Sequence, residues 1–356
     1  MISLLGASTA IGEVPLTPVA PATVLPPFMK GSHLSGGAYN PGLYYPAGST
    51  TPIQYGFQYI YPTTQEFDYY KSKGFSLIRL ELDIARIQPK NLQPLNTTEL
   101  SRITSLVEYA RKTGMYIILD PHNYGQMWDS TNNKFATIGT EIPNYYFADF
   151  WSRFSTVYKN YPNVVYGLMN EPFIQTAAQW KTSAVAAINA IRAVTKTQTI
   201  LIPGVFWSEA KAWMTAGNGA AWAGYEDPAG GPFMFEMHQY LNDDTSTRPT
   251  QCTSGMGSSL TDATTWLAAN GYKAFLGEFG WPNVSGVVSP TCNTEGANLL
   301  NALHSHPGQW GGWDWCCSGP WAGNNHFNLD PGADGIVGDQ PQIAIDPLRA
   351  PLSSDI

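Results

Sequence analysis

Apolar residues in this chain gather into eight short runs, set apart by longer stretches of mixed polarity. The runs are KGSHLSG (30–36), SLIRLEL (76–82), MYIILD (115–120), VVYGLM (164–169), TILIPG (199–204), FMFEMH (233–238), KAFLGEF (273–279) and WGGWDW (310–315). Most are nearly continuous in hydrophobicity and rich in β-branched or aromatic residues, the pattern of strands buried on both faces. Helix candidates fill the spaces. TTQEFDYYKSKG has Thr63 placed to cap it, and TTELSRITSLVEYARKTG stops on Gly114,. Eight β-then-α units in series predict an α/β fold, a single (β/α)8 TIM barrel over residues 28–356. Residues 1–27, rich in Pro, Ala and Thr, read as an arm or linker remnant,. They lack a basic n-region, so they do not read as an intact signal peptide.

In such barrels the chemistry sits at the C-terminal ends of the strands, so a run can finish on polar residues although its middle cannot hold them. The fourth run does this within VYGLMNEPF, ending on Asn170 and Glu171 before a proline. The second carries Arg79 and Glu81, the third leads into Asp120-Pro121-His122-Asn123-Tyr124, the sixth delivers His238 and Tyr240, and the seventh ends near Glu278.

Composition removes several function classes. With 19 basic against 27 acidic residues, a net charge of -8 and no basic run, the chain lacks the stripe that nucleic acid demands,. No segment approaches the roughly 18 consecutive apolar residues that span a bilayer, so no membrane partner is expected. HExxH, Walker and dinucleotide fingerprints are absent, and neither a metal nor a cofactor is expected. The four cysteines, Cys252, Cys292, Cys316 and Cys317, lack zinc-site spacing, which leaves disulfides or inert thiols,. Few lysines and much Ser, Thr, Gly and Tyr resemble a secreted, extracellular protein.

Glu171 and Glu278 have the placement that glycoside hydrolysis with retention requires. One carboxyl group protonates the leaving oxygen, and a second about 5–5.5 Å away attacks the anomeric carbon. Alone, Asn170-Glu171-Pro172 also fits a helix N-terminus, where the dipole favours Glu and Pro suits the first position. The accompanying polar ends, His122-Asn123, His238-x-Tyr240 and GEFGW, favour the site.

The segments RLELD, DPHNYG, VYGLMNEP, EMHQYLNDD and FLGEFGW resemble the signature segments of family 5 glycoside hydrolases, in particular the cellulase (endo-β-1,4-glucanase) branch. That resemblance implies Glu171 as general acid/base and Glu278 as nucleophile. It implies Asn170 on the sugar 2-OH, Arg79 holding the nucleophile ionised and Tyr240 donating to Glu278. His122 and His238 would line the subsite of the distorted sugar, with Asn123 in support; alternatively, Arg79 simply neutralises Glu81. The substrate implied is a β-1,4-linked glucan cut internally by a monomer without a cofactor. A β-mannanase or other endo-hemicellulase on the same scaffold is the alternative, and a non-catalytic carbohydrate-binding protein a more distant one.

Most of the 12 tryptophans are core by default, but five follow strands: Trp207, Trp281, Trp313, Trp315 and Trp321. Two or three of these are expected to form sugar platforms, Trp207, Trp281 and Trp315 foremost. The sequence departs from the family at the eighth run, where Cys316 falls on the second residue of a usual tryptophan pair. Either Trp315 then supplies the platform through a shift of the chain, or that wall closes differently. Cys252 and Cys292 follow adjacent strands, and family relatives place a disulfide similarly, so a Cys252–Cys292 bond is expected. A vicinal Cys316–Cys317 bond is its companion, against a reading as two packed thiols.

Overall fold

A computed structural model describes residues 28–39, 53–242, 250–323, 325–332, 338 and 340–342; the arm expected at 1–27 lies outside them. In chain order the strands are β1 (Met29–Leu34), β2 (Leu77–Leu82), β3 (Tyr116–Pro121), β4 (Gln126–Asp129), β5 (Lys134–Thr137), β6 (Val164–Gly167), β7 (Ile200–Pro203), β8 (Phe233–Tyr240), β9 (Ala274–Gly280) and β10 (Trp310–Ser318). Eight of them close a parallel barrel in the order β1-β2-β3-β6-β7-β8-β9-β10, as the eight runs predict. The exception is the antiparallel hairpin β4–β5, which sits beyond β3 and was not expected.

The helices are α1 (Thr64–Ser72), α2 (Ile84–Ile87), α3 (Thr97–Thr113), α4 (Asn144–Tyr158), α5 (Ala177–Val194), α6 (Asn218–Trp222), α7 (Thr261–Asn270) and α8 (Pro290–His304). Thr63 stands at the N-cap of α1, its backbone N–H donating 2.6 Å to Glu66. Asn96 caps α3 by accepting from the Thr98 and Glu99 N–H groups, and Gly114 ends it at φ 74°, a left-handed conformation that costs glycine little,. Helix α4 buries Phe147, Phe150, Trp151, Phe154 and Tyr158. Their spacing is one 3.6-residue stripe facing the barrel. Truncating one such ring, as in Phe154→Ala, costs about 3–5 kcal/mol because its cavity cannot refill.

Strand alternation sorts the barrel interior into two zones. Met29, Leu77, Ile118, Val165, Leu201, Met234 and Phe275, one from each of seven strands, form an apolar plug. Two residues further on, the same inward faces carry Arg79 after Leu77, Asp120 after Ile118 and Glu236 after Met234,. All three are buried, so the plug is roofed by charge.

Strand β9 breaks this rhythm where it matters. From the inward Phe275, a period of two would place Gly277 and Phe279 inside and turn Glu278 toward the helices. The register with β8 shifts between Met237, opposite Leu276, and His238, opposite Glu278. Gly277 is thus an extra residue, a β-bulge that re-aims Glu278 into the barrel mouth and returns Phe279 to the core,. A Cβ at Gly277 would collide with the Glu236 carboxylate, so only glycine fits the bulge.

Candidate active site

The bulge brings Glu278 onto Arg79. Its Oε1 accepts from Arg79 Nη1 at 2.8 Å, and its Oε2 accepts from Tyr240 Oη, also at 2.8 Å. Arg79 Nη2 donates to Asn170 Oδ1 at 2.8 Å and lies 3.2 Å from Asp120 and 3.1 Å from Glu236. One guanidinium therefore ties the strand ends that carry Glu278 and Asn170. Glu81, the other partner considered for Arg79, pairs instead with His33, Nε2 to Oε1 at 3.0 Å.

Glu171 follows β6 at φ 41°, a left-handed conformation that a side chain holds only under constraint,. Its Oε1 lies 2.7 Å from His238 Nδ1, whose Nε2 is 3.5 Å from Glu236. One carboxylate oxygen each of Glu171 and Glu278 and a nitrogen of His238 all lie within 4.8 Å of one another. His122 turns Nδ1 to Asp120 at 2.9 Å and Nε2 to the Asn170 amide at 3.2 Å. Asn170 is held at both ends, by Arg79 and by His122.

The two carboxyl groups are driven apart electrostatically. Burial and then the charge of Glu278 raise the Glu171 pKa, with His238 opposing. Burial also works to raise Glu278, but the charges of His238 and Arg79 hold it well below the carboxylate range. On His238, burial disfavours the proton, yet Glu278, Glu171 and Glu236 bring its pKa to about 10. Burial, and after it the charge of Glu278, keeps the Tyr240 proton on its oxygen. The two carboxyl groups are thus pushed in opposite directions, Glu171 toward the acid and Glu278 toward the carboxylate, the division of labour that acid and nucleophile need,.

Several expected site residues sit elsewhere. Asn123 is wholly buried, accepting from the Ile84 N–H at 3.0 Å and donating to Asp83 at 3.2 Å. It pins the segment after β2 to that after β3 and does not face the mouth. Trp281 is also wholly buried, 4.5 Å from Trp315, in a space left by Gly296 of α8. Trp315 is buried as well, its Nε1 donating to the Phe327 carbonyl at 2.7 Å. Neither ring presents a face to a sugar, because Trp281 lies against Gly296 of α8 and Trp315 is packed on Phe279 and Trp281.

Of the five tryptophans, Trp207 and Trp321 are the exposed ones, at 42% and 46%. Trp207 stacks nearly parallel on Phe173, and Trp321 on Tyr39. Where a second tryptophan of the pair was expected, Cys316 is buried and Cys317 half-exposed, the two joined by a disulfide. Cys317 Sγ lies 3.8 Å from Tyr240 Oη, the hydroxyl that donates to Glu278. Cys252 and Cys292 are likewise bonded, with Cα atoms 5.1 Å apart and Cys292 in the first turn of α8.

His33, Asp120, Glu236 and Asp314 were given no role from sequence, Asp120 being named only as a polar strand end. The first three had a legible signal. Asp120-x-His122 and Glu236-x-His238 repeat a carboxylate two residues before a histidine on an inward face, and His33 lies on the inward face of β1,.

A family model described as Cellulase (glycosyl hydrolase family 5) matches residues 44–319. The chain is 31% identical over 332 residues to the probable endo-beta-1,4-glucanase B of Neosartorya fischeri, spanning 91% of this chain and 92% of that relative. An endo-beta-1,4-glucanase of Xanthomonas axonopodis pv. citri is similar in structure, with a TM-score of 0.79 and 33% identity over 89% of this chain and 96% of that chain. XacCel5A, solved in complex with cellopentaose, gives a TM-score of 0.79 and 32% identity over 90% of this chain and 98% of that chain.

Proposed function

Because the chain belongs to the cellulase family of glycosyl hydrolases, family 5, we propose that it is an endo-β-1,4-glucanase that cuts β-glucan chains internally with retention of anomeric configuration. The observation that carries this reading is the Glu171–Glu278 pair. Oxygens within 4.8 Å leave room for a glycosidic bond between them but none for the extra water of an inverting enzyme,.

The reaction proceeds in two displacements. Glu278 attacks C1 as Glu171 gives its proton to the departing oxygen, so the C1–O4 bond breaks as an ester to Glu278 forms with α configuration. Tyr240 and Arg79, bonded to the two carboxylate oxygens, hold the nucleophile face-on. Esterification removes the charge of Glu278, one of the causes raising the Glu171 pKa. Glu171, now a carboxylate, takes a proton from water, whose oxygen attacks C1 and releases Glu278 and a β-hemiacetal. Asn170, clamped by Arg79 and His122, is set to bond the 2-OH, where charge develops in the oxocarbenium-like transition state,.

Every group in this scheme comes from one chain, which supports action as a monomer. Two disulfides support an extracellular setting, since reducing compartments do not sustain them,. Among the described residues no helix is long and apolar enough to cross a membrane. NMR of the first product from a soluble β-1,4-glucan should show the β-anomer before mutarotation. An initial α-anomer, or reducing ends from galactomannan but not from carboxymethylcellulose, would overturn the reading.

A further inference from the structure

Behind the nucleophile lies a carboxylate–imidazole pair that the two-displacement scheme leaves unused. His33 projects from β1 and Glu81 from the end of β2, and both are buried. Glu81 Oε1 accepts from His33 Nε2 at 3.0 Å, while its Oε2 accepts from the Gly36 N–H at 3.0 Å and the Ala38 N–H at 3.4 Å. Three donors on one carboxylate keep it ionised, and its pKa, which burial would raise, falls to about 2 under the His122 charge and these bonds,. On its other side His33 meets Arg79, whose Nη1–H is aimed at Nδ1 at 3.0 Å. The same Nη1 donates to Glu278.

We propose that Glu81 and His33 are positioning residues for hydrolysis: a hydrogen-bonded chain, Glu81 to His33 to Arg79, fixes the guanidinium that orients both the nucleophile Glu278 and the 2-OH ligand Asn170. This rests on the glucanase reading of the same site. The chemistry dictates the direction of each bond. Glu81 can only accept, so Nε2 carries the proton, and the Nδ1 lone pair is left for the Arg79 donor. Burial and the guanidinium weigh against a second ring proton, whereas Glu278 and Glu81 favour one. The aimed Arg79 N–H decides for the neutral ring, since a protonated Nδ1 would set two donors 3.0 Å apart.

Arg79 needs such an anchor. Its Nη2 is pulled toward Asn170, Asp120 and Glu236 at once, and its Nε, buried, has no hydrogen-bond partner. Without His33, the two hydrogens of Nη1 are free to leave Glu278 for these competitors. The groups facing Glu278 are Arg79 from β2, His33 from β1, His238 and Tyr240 from β8 and Glu171 after β6. Glu236 of β8 and Asp314 of β10 interact electrostatically with the same cluster. Loosening Arg79 therefore removes a cation from the nucleophile while the carboxylates around it stay, and the Glu278 pKa must rise.

The test uses the full chain with substitutions Glu81→Gln, Glu81→Leu and His33→Asn, judged on a soluble β-1,4-glucan. Glu81→Leu and His33→Asn should lower kcat about 10- to 100-fold with KM within about threefold. They should also move the acid limb of kcat/KM up by about half to one pH unit, the signature of a less stabilised nucleophile. Glu81→Gln keeps an acceptor for Nε2–H and should recover most of both effects. Nitrogen-15 NMR of the wild-type chain should show His33 as the neutral Nε2–H tautomer between about pH 5 and 8. Loss of kcat with an unmoved acid limb would mark a merely structural role and overturn the proposal. So would near wild-type kcat in both disruptive variants, or an imidazolium at position 33. If either variant fails to fold, Glu81→Gln and the tautomer measurement still decide. A wild-type chain inert on every β-glucan would sink the glucanase reading instead, leaving the tautomer result to be read by itself.

Discussion

Asp314 offers a measurement of what burying charge costs this barrel. Its side chain is wholly buried on β10, and neither carboxyl oxygen has a hydrogen-bond partner. Burial raises its pKa well above the ordinary value, with Glu278 and Glu236 adding to the rise and His33 and Arg79 opposing it. The sign of the stability effect follows. The folded chain keeps a proton that the unfolded chain releases above about pH 3.9, so stability is full below that value and falls as pH rises toward the folded pKa. Each pH unit in that window costs about 1.4 kcal/mol, which caps the penalty at about 4 kcal/mol at pH 7. Asp314→Asn has nearly the same shape and does not titrate. Its amide stays unpartnered, at a cost of about 1–3 kcal/mol that does not vary with pH. The protonated carboxyl is equally unpartnered, so the variant should match wild type near about pH 4 and exceed it by neutrality, the difference changing by about 1.4 kcal/mol per pH unit,. Guanidinium unfolding followed by tryptophan fluorescence at three pH values between about 4 and 7 measures this slope. A flat difference would mean that Asp314 binds the same protons folded and unfolded, and so is ionised in the fold across this range. A variant that loses ground as pH rises would mean that Asp314 is ionised in the fold and paired with Arg79. Either result refutes the reasoning.

Three further outcomes are expected. Glu171→Gln and Glu278→Gln should stay folded and lose about a thousandfold or more of kcat; with azide and an activated aryl glycoside, Glu278→Ala should yield the α-glycosyl azide and Glu171→Ala the β form, both read by NMR. Trp207→Ala should raise KM about 3- to 10-fold with little change in stability, while Trp281→Ala should cost about 3–5 kcal/mol in unfolding and leave KM alone; the reverse pattern would contradict the burial of the two rings. Replacing Cys252 and Cys292 by serine should cost about 4 kcal/mol, the chain-entropy value for a bond spanning 40 residues,. An unfolding midpoint indifferent to reductant, with four titratable thiols, would rule that bond out.

The sequence by itself determined the barrel, because strands buried on both faces must be apolar throughout and so stand out as runs, and because a (β/α)8 barrel needs eight of them. It also located the polar strand ends, since only there can a run carry Glu171, Arg79, His238 or Glu278 without burying an unpaired charge in the plug. The hairpin β4–β5 escaped notice because its four-residue strands, QMWD and KFAT, carry neither a continuous apolar run like those of β6 and β7 nor enough residues to establish an alternation. What lies between strands was decided by the tertiary structure. The bulge at Gly277, which turns the nucleophile inward, shows only in the register of β9 against β8, where the Glu236 carboxylate on that neighbouring strand leaves room for glycine alone. Whether a tryptophan is platform or core depends on what closes over it. Gly296 of α8 makes room to bury Trp281, whereas Trp207, stacked on Phe173 and edge-on to Phe206, stays 42% exposed. Asn123 looked like a ligand in DPHNYG, yet two groups from the segment after β2 claim its amide. His33 had no motif to announce it, and its partners come from positions 79 and 81, brought beside it by the pairing of β1 with β2. A residue's chemistry is written in its side chain, but its partners are chosen by strands and helices distant in sequence, and only folding brings those together.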